Sequence, residues 1–454
     1  MPPVDLNIAV LVDLVVFGVC SFVLISTQTL RHSHPAVIYL AFHALVISFR
    51  AHAVNGGAKT FLSGIPGLDA VSPGEIGRAV LIADIALIAA TVGWVTAGRG
   101  NTNRILTTQP PDEQPPVFTY RPLQFKYILT VAAVAMPIGL FTLAKYGSLP
   151  GSPVTSISTS SYSTLAVTWP GLVLLAFIYF HGFRPALVIP LVGYLAFTAI
   201  QGFDRFRLVI PVILLCQIYL DRRGRRWPGK AMLALLAIMV LVFFPLKEIG
   251  LGVIQGQNVA TIAANAETSI TDALGGRNAD QAVLDELAVT VSGAQETGAT
   301  LWGRPYLNVL VLPVPKQWWP GKPGLADYLN TISQPRRPLA QIGGVTTLPG
   351  DLYLNFRIPG LVLCMFLLAR LSGRLCYAAY RYPYLSLNRF CYLLLAANFI
   401  QIFRDGLISV PVFLLVNMMP LMAIALLHLL GPPARVVDGD AATLKPRGST
   451  RSSR

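Results

Sequence analysis

In an apolar chain, the side chains able to do chemistry are the few that carry charge among greasy neighbours. A charge inside a membrane-spanning helix costs about 2.5 to 3.5 kcal/mol on insertion scales, so each such residue is a candidate site by default. Arg50 lies late in one apolar run, and Asp204, Arg205 and Arg207 occupy a short break between two others. Lys247 and Glu248 follow a further run, Asp351 opens another, and Arg404 and Asp405 fill a tight turn near the C-terminus. Arginine's planar fork takes phosphate oxygens in pairs and keeps its charge when partly desolvated. Arginines at headgroup depth therefore suit a lipid-linked phosphate or pyrophosphate. A single arginine has a simpler use, reaching for the interface from an apolar run. The interrupted backbone at Arg205, Arg207 and Arg404 favours binding there. Asp13 and Asp84 read as hydrogen-bond partners in packing before they read as a proton path.

Other chemistries lack their residues. There is no Gly-rich phosphate loop, no Ser-His-Asp set and no His/Cys metal cluster. The six histidines are scattered, with His32, His34, His181 and His428 on one predicted side, His43 within a span and His52 near the other edge. The long segment 247–350 has no histidine, which disfavours an imidazole base or a zinc site there. A metal-free reaction or a carboxylate base is expected, with no cofactor. The five cysteines all fall in or beside apolar runs, so no disulfide is expected.

The elements that must position these residues follow from composition. With 54% hydrophobic and 12% charged residues and a mean hydropathy of +0.59, the chain cannot coat a soluble globule of its size. Runs such as 6–26 and 407–430 reach the roughly 20 apolar residues a helix needs to cross a bilayer. The expected fold is an all-α polytopic membrane protein of about 11 transmembrane helices, near 6–26, 35–54, 76–97, 123–144, 164–180, 185–200, 206–220, 231–246, 351–371, 388–403 and 407–430. Under alternate crossing, about 20 of the 35 basic residues and about 5 of the 21 acids fall on one side, the excess expected of a cytoplasmic face. That places the N-terminus in the periplasm and the C-terminus in the cytoplasm of a bacterial inner membrane. The net charge of +14 thus speaks for topology and lipid contact rather than for nucleic acid.

The chain divides into helices 1–8 (1–246), a periplasmic loop (247–350), helices 9–11 (351–430) and a basic, disordered cytoplasmic tail (431–454). Within the loop, Ile262, Ala266, Ile270 and Leu274 recur every four residues and stop at Gly275-Gly276. Asn278 and Gln281 have the form of a capping box, followed by an apolar stripe of Val283, Leu284, Leu287 and Val291. Two helices are expected there, lying against the outer mouth of the bundle with Trp302, Trp318 and Trp319 near the headgroups. The membrane-side charges and the loop's Arg277, Arg304, Arg336 and Arg337 would then form a cationic funnel.

The stretch Pro313-Val314-Pro315-Lys316-Gln317-Trp318-Trp319-Pro320-Gly321-Lys322-Pro323, then Gly343-Gly344, then Pro349-Gly350-Asp351-Leu352-Tyr353-Leu354-Asn355-Phe356-Arg357-Ile358-Pro359-Gly360 resembles the Wzy-type oligosaccharide repeat-unit polymerases, also called O-antigen polymerases. Gly202-Phe203-Asp204-Arg205-Phe206-Arg207 and Arg404-Asp405-Gly406 are similar to the same family. Where the family pattern usually reads Glu-x-Tyr-x-Asn-Phe-Gly, this chain has Asp351 for the Glu and Arg357 for the Gly, so a charge stands where a small residue is usual.

The resemblance implies a GT-C-like, lipid-dependent glycosyltransferase that moves a glycan from an undecaprenyl-pyrophosphate carrier onto a new lipid-linked repeat unit. Its partners would be those lipid-linked glycans and membrane lipid, with a chain-length regulator as a further candidate. On that reading Arg205, Arg207 and Arg404, with Arg336 and Arg337, hold the pyrophosphate. Asp351 or Glu248 takes the acceptor proton, and Tyr353, Asn355, Arg304 and Arg277 contact glycan. A lipid-linked oligosaccharide flippase or other transporter is the non-enzyme rival and would account for Asp13, Asp84 and Arg50. An O-antigen ligase shares the layout, but the missing loop histidine speaks against it.

Overall fold

A computed structural model describes residues 4–27, 30–60, 69–98, 123–146, 166–200, 206–230, 232–234, 245, 249–250, 252–253, 255–274, 283–311, 314, 318–323, 327–332 and 346–431. Among these residues every regular element is helical. Five helical segments are long and apolar enough to cross a membrane: Leu6–Ser26 (α1), Pro35–Asn55 (α2), Pro73–Gly98 (α3), Phe125–Ala144 within Phe125–Tyr146 (α4), and Leu348–Ala379, which is α11 below. Shorter apolar helices cover Ala166–His181, Pro185–Thr198 and Met418–Leu430.

α1 shows why lipid is the solvent. Ile8, Leu11, Leu14, Val15, Val19, Phe22 and Ile25 form a large exposed apolar face, while Asp13 on the other side is buried. Water would not tolerate so large a patch, and the inward polar residues invert the arrangement of a soluble helix. The chain is therefore an α-helical, membrane-embedded protein.

Local signals fix the ends. Asp5 caps α1 by accepting from Asn7 N at 2.8 Å. His34 does the same for α2 through Ala36 N, with Pro35 supplying the preset φ of a first turn. Ser72 and Glu75 exchange hydrogen bonds in a reciprocal box at the start of α3, Ser72 N donating to Glu75 Oε2 at 2.8 Å.

The remaining helices are Trp169–His181 (α5), Pro185–Ile200 (α6), Phe206–Arg222 (α7), Val259–Leu274 (α8), Val283–Glu296 (α9), Arg304–Leu310 (α10), Leu348–Ala379 (α11), Leu387–Asp405 (α12) and Val410–Leu430 (α13). They form two apolar cores. α1, α2, α3, α9 and α11 share one, and α4 to α7 and α13 share the other. α12 stands between, giving Tyr392, Ala396, Phe399 and Phe403 to the first and Phe390, Leu393, Leu394 and Ala397 to the second. α3 and α11 run parallel and close. A Cβ on Gly93 would lie 2.4 Å from Phe366 O, and one on Gly373 3.0 Å from Ala97 Cβ. Small residues at this seam replace the hydrophobic drive that lipid does not supply.

Contacts sort the helix ends to two ends of the bundle. At one end, His32 N donates to Arg226 O, Tyr392 OH donates to Ser33 O, and Leu385 N donates to the Tyr179 hydroxyl. There too the Arg31 and Arg389 guanidiniums lie 4.3 and 4.4 Å from the Tyr380 ring, and Arg389 pairs with Asp221. At the other end, Arg50 meets Asp285, Gln295 meets Tyr353, and Leu407 N meets Asp351. α1, α3, α7 and α11 thus run toward the first end, α2 and α12 away from it.

The two loop helices compare differently with expectation. α8 is described as far as Leu274, with Ile262, Ala266 and Ile270 on its less exposed side, and the predicted stop at Gly275-Gly276 lies outside the described residues. α9 packs at the second end of the bundle, but not by one oily face: residues 283–294 are buried almost all round and belong to the same core as α3 and α11. Leu287 packs where Gly350 leaves no Cβ, and the Gly293 backbone sits against Ile332 O. Asp285, the charge that should have kept this helix at the surface, is neutralised by Arg50. The predicted capping box at Asn278 and Gln281 lies outside the described residues. Trp302, Trp318 and Trp319 are exposed.

Candidate functional site

The second end of the bundle is built around a break in α11. Thr347 caps the helix by accepting from Gly350 N, and Pro349 sits in the first turn. Two turns on, Arg357 has φ 56° and ψ −164°, and Pro359 follows. The break and the proline between them leave the carbonyls of Leu354 and Asn355 without helical donors. The loop supplies them: Leu301 N donates to Leu354 O at 3.2 Å and Trp302 N to Asn355 O at 3.1 Å. Gly303 N donates to the Asn355 side-chain carbonyl at 3.0 Å.

Arg357 completes the joint. Its guanidinium donates to Thr300 Oγ1 at 3.0 Å, to Ala294 O at 2.7 Å and to Ala299 O at 2.6 Å. It thereby takes up carbonyls where α9 runs out. The guanidinium thus fastens the loop to the membrane helix.

Asp351 organises the adjacent turn. It is fully buried, and Oδ2 accepts from Leu407 N at 2.8 Å while Oδ1 accepts from Asn355 Nδ2 at 2.9 Å. Asn355 Nδ2 also donates to Asp351 O at 2.9 Å and to the Tyr306 hydroxyl at 3.3 Å. Gly406, at φ 77°, lies so close that a Cβ there would be 2.8 Å from Asp351 Cβ and Oδ2. Asp351 and Leu407 are 56 positions apart in sequence, and their bond makes the start of α11 and the Arg404-Asp405-Gly406 turn one assembly.

Arg404 stands at the rim, part-exposed, with Asp405 Oδ1 at 3.1 Å. α10 packs against the short 3₁₀ turn Leu407–Ser409 that follows it, and α10 begins at the exposed Arg304. Arg304 and Arg404 are therefore carried on neighbouring elements.

Asp351, Tyr353 and Asn355 are less accessible than the roles expected of them require. Tyr353 is buried, with its hydroxyl accepting from Gln295 Nε2, which Arg78 in turn engages through Oε1 at 2.6 Å. In this geometry the three residues hold the joint and none presents a free face to a sugar. Arg50 also leaves the predicted funnel. It is 2% exposed and donates in a fork to Asp285, Nε to Oδ1 at 3.0 Å and an Nη to Oδ2 at 2.7 Å, with Lys59 O taking a further bond. Arg205, Glu248, Arg277, Arg336 and Arg337 lie outside the described residues, as does the side chain of Arg207, whose backbone belongs to α7.

Sequence reasoning missed a second cluster. His43, described above as one of six scattered histidines, places Nε2 2.8 Å from Asp13 Oδ1 and 3.5 Å from Asp84 Oδ1, all three residues being buried. The signal was present: three consecutive apolar runs each carry one ionisable residue near mid-span, where such residues face one another rather than lipid. The helix around His43 is also irregular, with a π-turn over His43–Ser48 inside α2. Such turns recur at functional positions.

No family model, curated protein or solved structure matched the chain significantly, so the functional reading rests on its own residues.

Proposed function

We propose that the chain is a lipid-linked glycosyltransferase that polymerises undecaprenyl-pyrophosphate-linked repeat units at the periplasmic face of a bacterial inner membrane. One observation carries the reading: the loop, the broken start of α11 and the Arg404-Asp405-Gly406 turn are joined into one assembly through Asp351, Asn355 and Arg357. A polymerase of this kind needs cations fixed at the outer mouth beneath a loop that covers the donor. In the reaction the acceptor hydroxyl attacks the anomeric carbon, the new glycosidic C–O bond forms, and the bond to the pyrophosphate oxygen breaks. The leaving diphosphate gains charge, which preorganised guanidiniums stabilise.

Arg404, with Arg205 and Arg207, and Arg336 and Arg337 from the loop, take that role in this reading. Arg304 and Arg277 line the glycan path. Asp351 acts through the turn that carries Arg404 and is a positioning residue; the acceptor proton passes to Glu248. Eleven spans with a GT-C-like layout, the N-terminus outside and the C-terminus inside, fit the way the helix ends sort. The end bearing Arg31, Arg222, Arg226, Arg381 and Arg389 would be cytoplasmic.

A transporter is the second reading, and the buried Asp13–His43–Asp84 cluster favours it, since ionisable groups at mid-span mark ion and proton paths. Deleting the gene separates the two. Loss of a polymerase leaves single repeat units on the surface, whereas loss of a flippase leaves none. Within the polymerase reading, Ala at Arg205, Arg207 and Arg404 shortens the polysaccharide ladder on a gel. A ladder unchanged in all three variants rejects it.

A further inference from the structure

We infer that Asp13, His43 and Asp84 form a binding site for a divalent transition-metal ion, of the Zn2+ or Mn2+ kind, in the core shared by α1, α2 and α3. The argument begins with Asp84. It is 2% exposed, and neither carboxylate oxygen has a hydrogen-bond partner. An ionised carboxylate in that position is weakly compensated, because His43 Nε2 lies 2.8 Å from Asp13 Oδ1 and 3.5 Å from Asp84 Oδ1. A protonated Asp84 can hydrogen-bond to Asp13 and so stay buried without a metal, whereas an ionised Asp84 needs a cation beside it.

A dication supplies that cation. One imidazole nitrogen and two carboxylate oxygens lie within 4.8 Å of one another. Ligands about 2.1 Å from a common metal and set at octahedral or tetrahedral angles are about 3.0 to 3.4 Å apart. The two separations from Nε2, 2.8 and 3.5 Å, bracket that range. Two carboxylates and a neutral imidazole balance a +2 ion, leaving the apolar core without net charge. On binding, Nε2 gives up its proton and donates its lone pair to the ion, while the ring keeps its proton on Nδ1. A mixed nitrogen and oxygen set suits Zn2+ or Mn2+ better than Ca2+ or Mg2+, which prefer oxygen alone. The three ligands come from three separate helices, so the ion would lock α1, α2 and α3 together. The inference rests on this geometry alone and is independent of the polymerase reading.

The test uses the full-length, tag-free protein in detergent, stripped with a chelator and dialysed separately against Zn2+, Mn2+ and Ca2+ before metal analysis. One Zn2+ or Mn2+ per chain is expected, with Asp84→Asn and His43→Gln each weakening binding by about tenfold or more. Absence of binding, or equal binding in the wild type and both variants, overturns the proposal. Should the variants fail to fold, X-ray absorption on the Zn2+-loaded wild type decides. A nitrogen and oxygen shell containing one imidazole supports the site, and a sulfur shell, as Cys20 or another thiol would give, refutes it.

Discussion

Position 357 lets backbone strain and side-chain bonding be separated by substitution. At φ 56° and ψ −164° the backbone lies in a region essentially reserved for glycine, where another residue costs about 1 to 3 kcal/mol. Arg357 is held there by three hydrogen bonds to Thr300, Ala294 and Ala299. Charged hydrogen bonds contribute about 1.5 to 3 kcal/mol when buried and nearer 1 kcal/mol when water competes, as it does at this part-buried position. Arg357→Ala removes all three and keeps the strain, so it should weaken the loop's attachment by about 3 kcal/mol. Arg357→Gly removes the same bonds but releases the strain, less the roughly 0.5 to 1 kcal/mol that glycine loses in backbone freedom. The glycine variant should therefore be the more stable of the two by about 1 kcal/mol. Chymotryptic cleavage after the exposed Trp302, whose N–H is tied to Asn355 O, reports opening of this joint. The expected order of cleavage is wild type slowest, glycine intermediate and alanine fastest. An alanine variant that resists cleavage as well as the glycine variant would refute the strain argument, and wild-type rates in both would refute the fastening role.

Three further outcomes follow from the same geometry. Asp285→Ala strands a buried guanidinium and should cost about 3 to 5 kcal/mol in thermal or denaturant unfolding, while the double variant Arg50→Met with Asp285→Leu should recover most of it. Gly406→Ala forces a left-handed residue and a Cβ into Asp351, so an inserted but destabilised protein is expected and, on the proposed polymerase reading, a shortened polysaccharide ladder. Burial lowers the pKa of His32 from 6.5 to about 4. The unfolded chain therefore binds the extra proton between about pH 6.5 and 4, and stability is complete above that window and lost as pH falls through it. His32→Gln should flatten the dependence of melting temperature on pH in that window.

The helical, membrane-embedded class was legible because it depends on run lengths and on charge sorting, both of which are local or summed properties. Partner choice was not. Arg50 and Asp285 are 235 residues apart, and nothing in either neighbourhood announces that one neutralises the other. Without that pairing, Arg50 looks like a ligand for phosphate and α9 looks amphipathic. With it, Arg50 is a structural charge and α9 is a core helix. Arg357 stood out only against the pattern that the chain resembles, and its fastening role was not legible. A bulky cation at a glycine-like backbone reads as a defect until Ala294, Ala299 and Thr300 are brought to it.

The same pairing logic changes how charge at the second end of the bundle should be counted. Arg50 is neutralised by Asp285, and Arg357 keeps its charge but is held in place by the carbonyls at the end of α9, so neither guanidinium is positioned to move toward a ligand at this end. What these pairs supply is rigidity, because each crosses between the membrane helices and the loop. Preorganised donors stabilise developing charge only if their support does not yield as the charge appears. Asp351 serves the same end from within: by fixing Leu407 N it fixes the turn that carries Arg404. A substitution at Asp351 should then act on Arg404 through geometry. On the proposed polymerase reading, Asp351→Asn, which keeps an acceptor for Leu407 N, should retain more chain elongation than Asp351→Ala, whereas a proton-accepting role would make the two equally inactive.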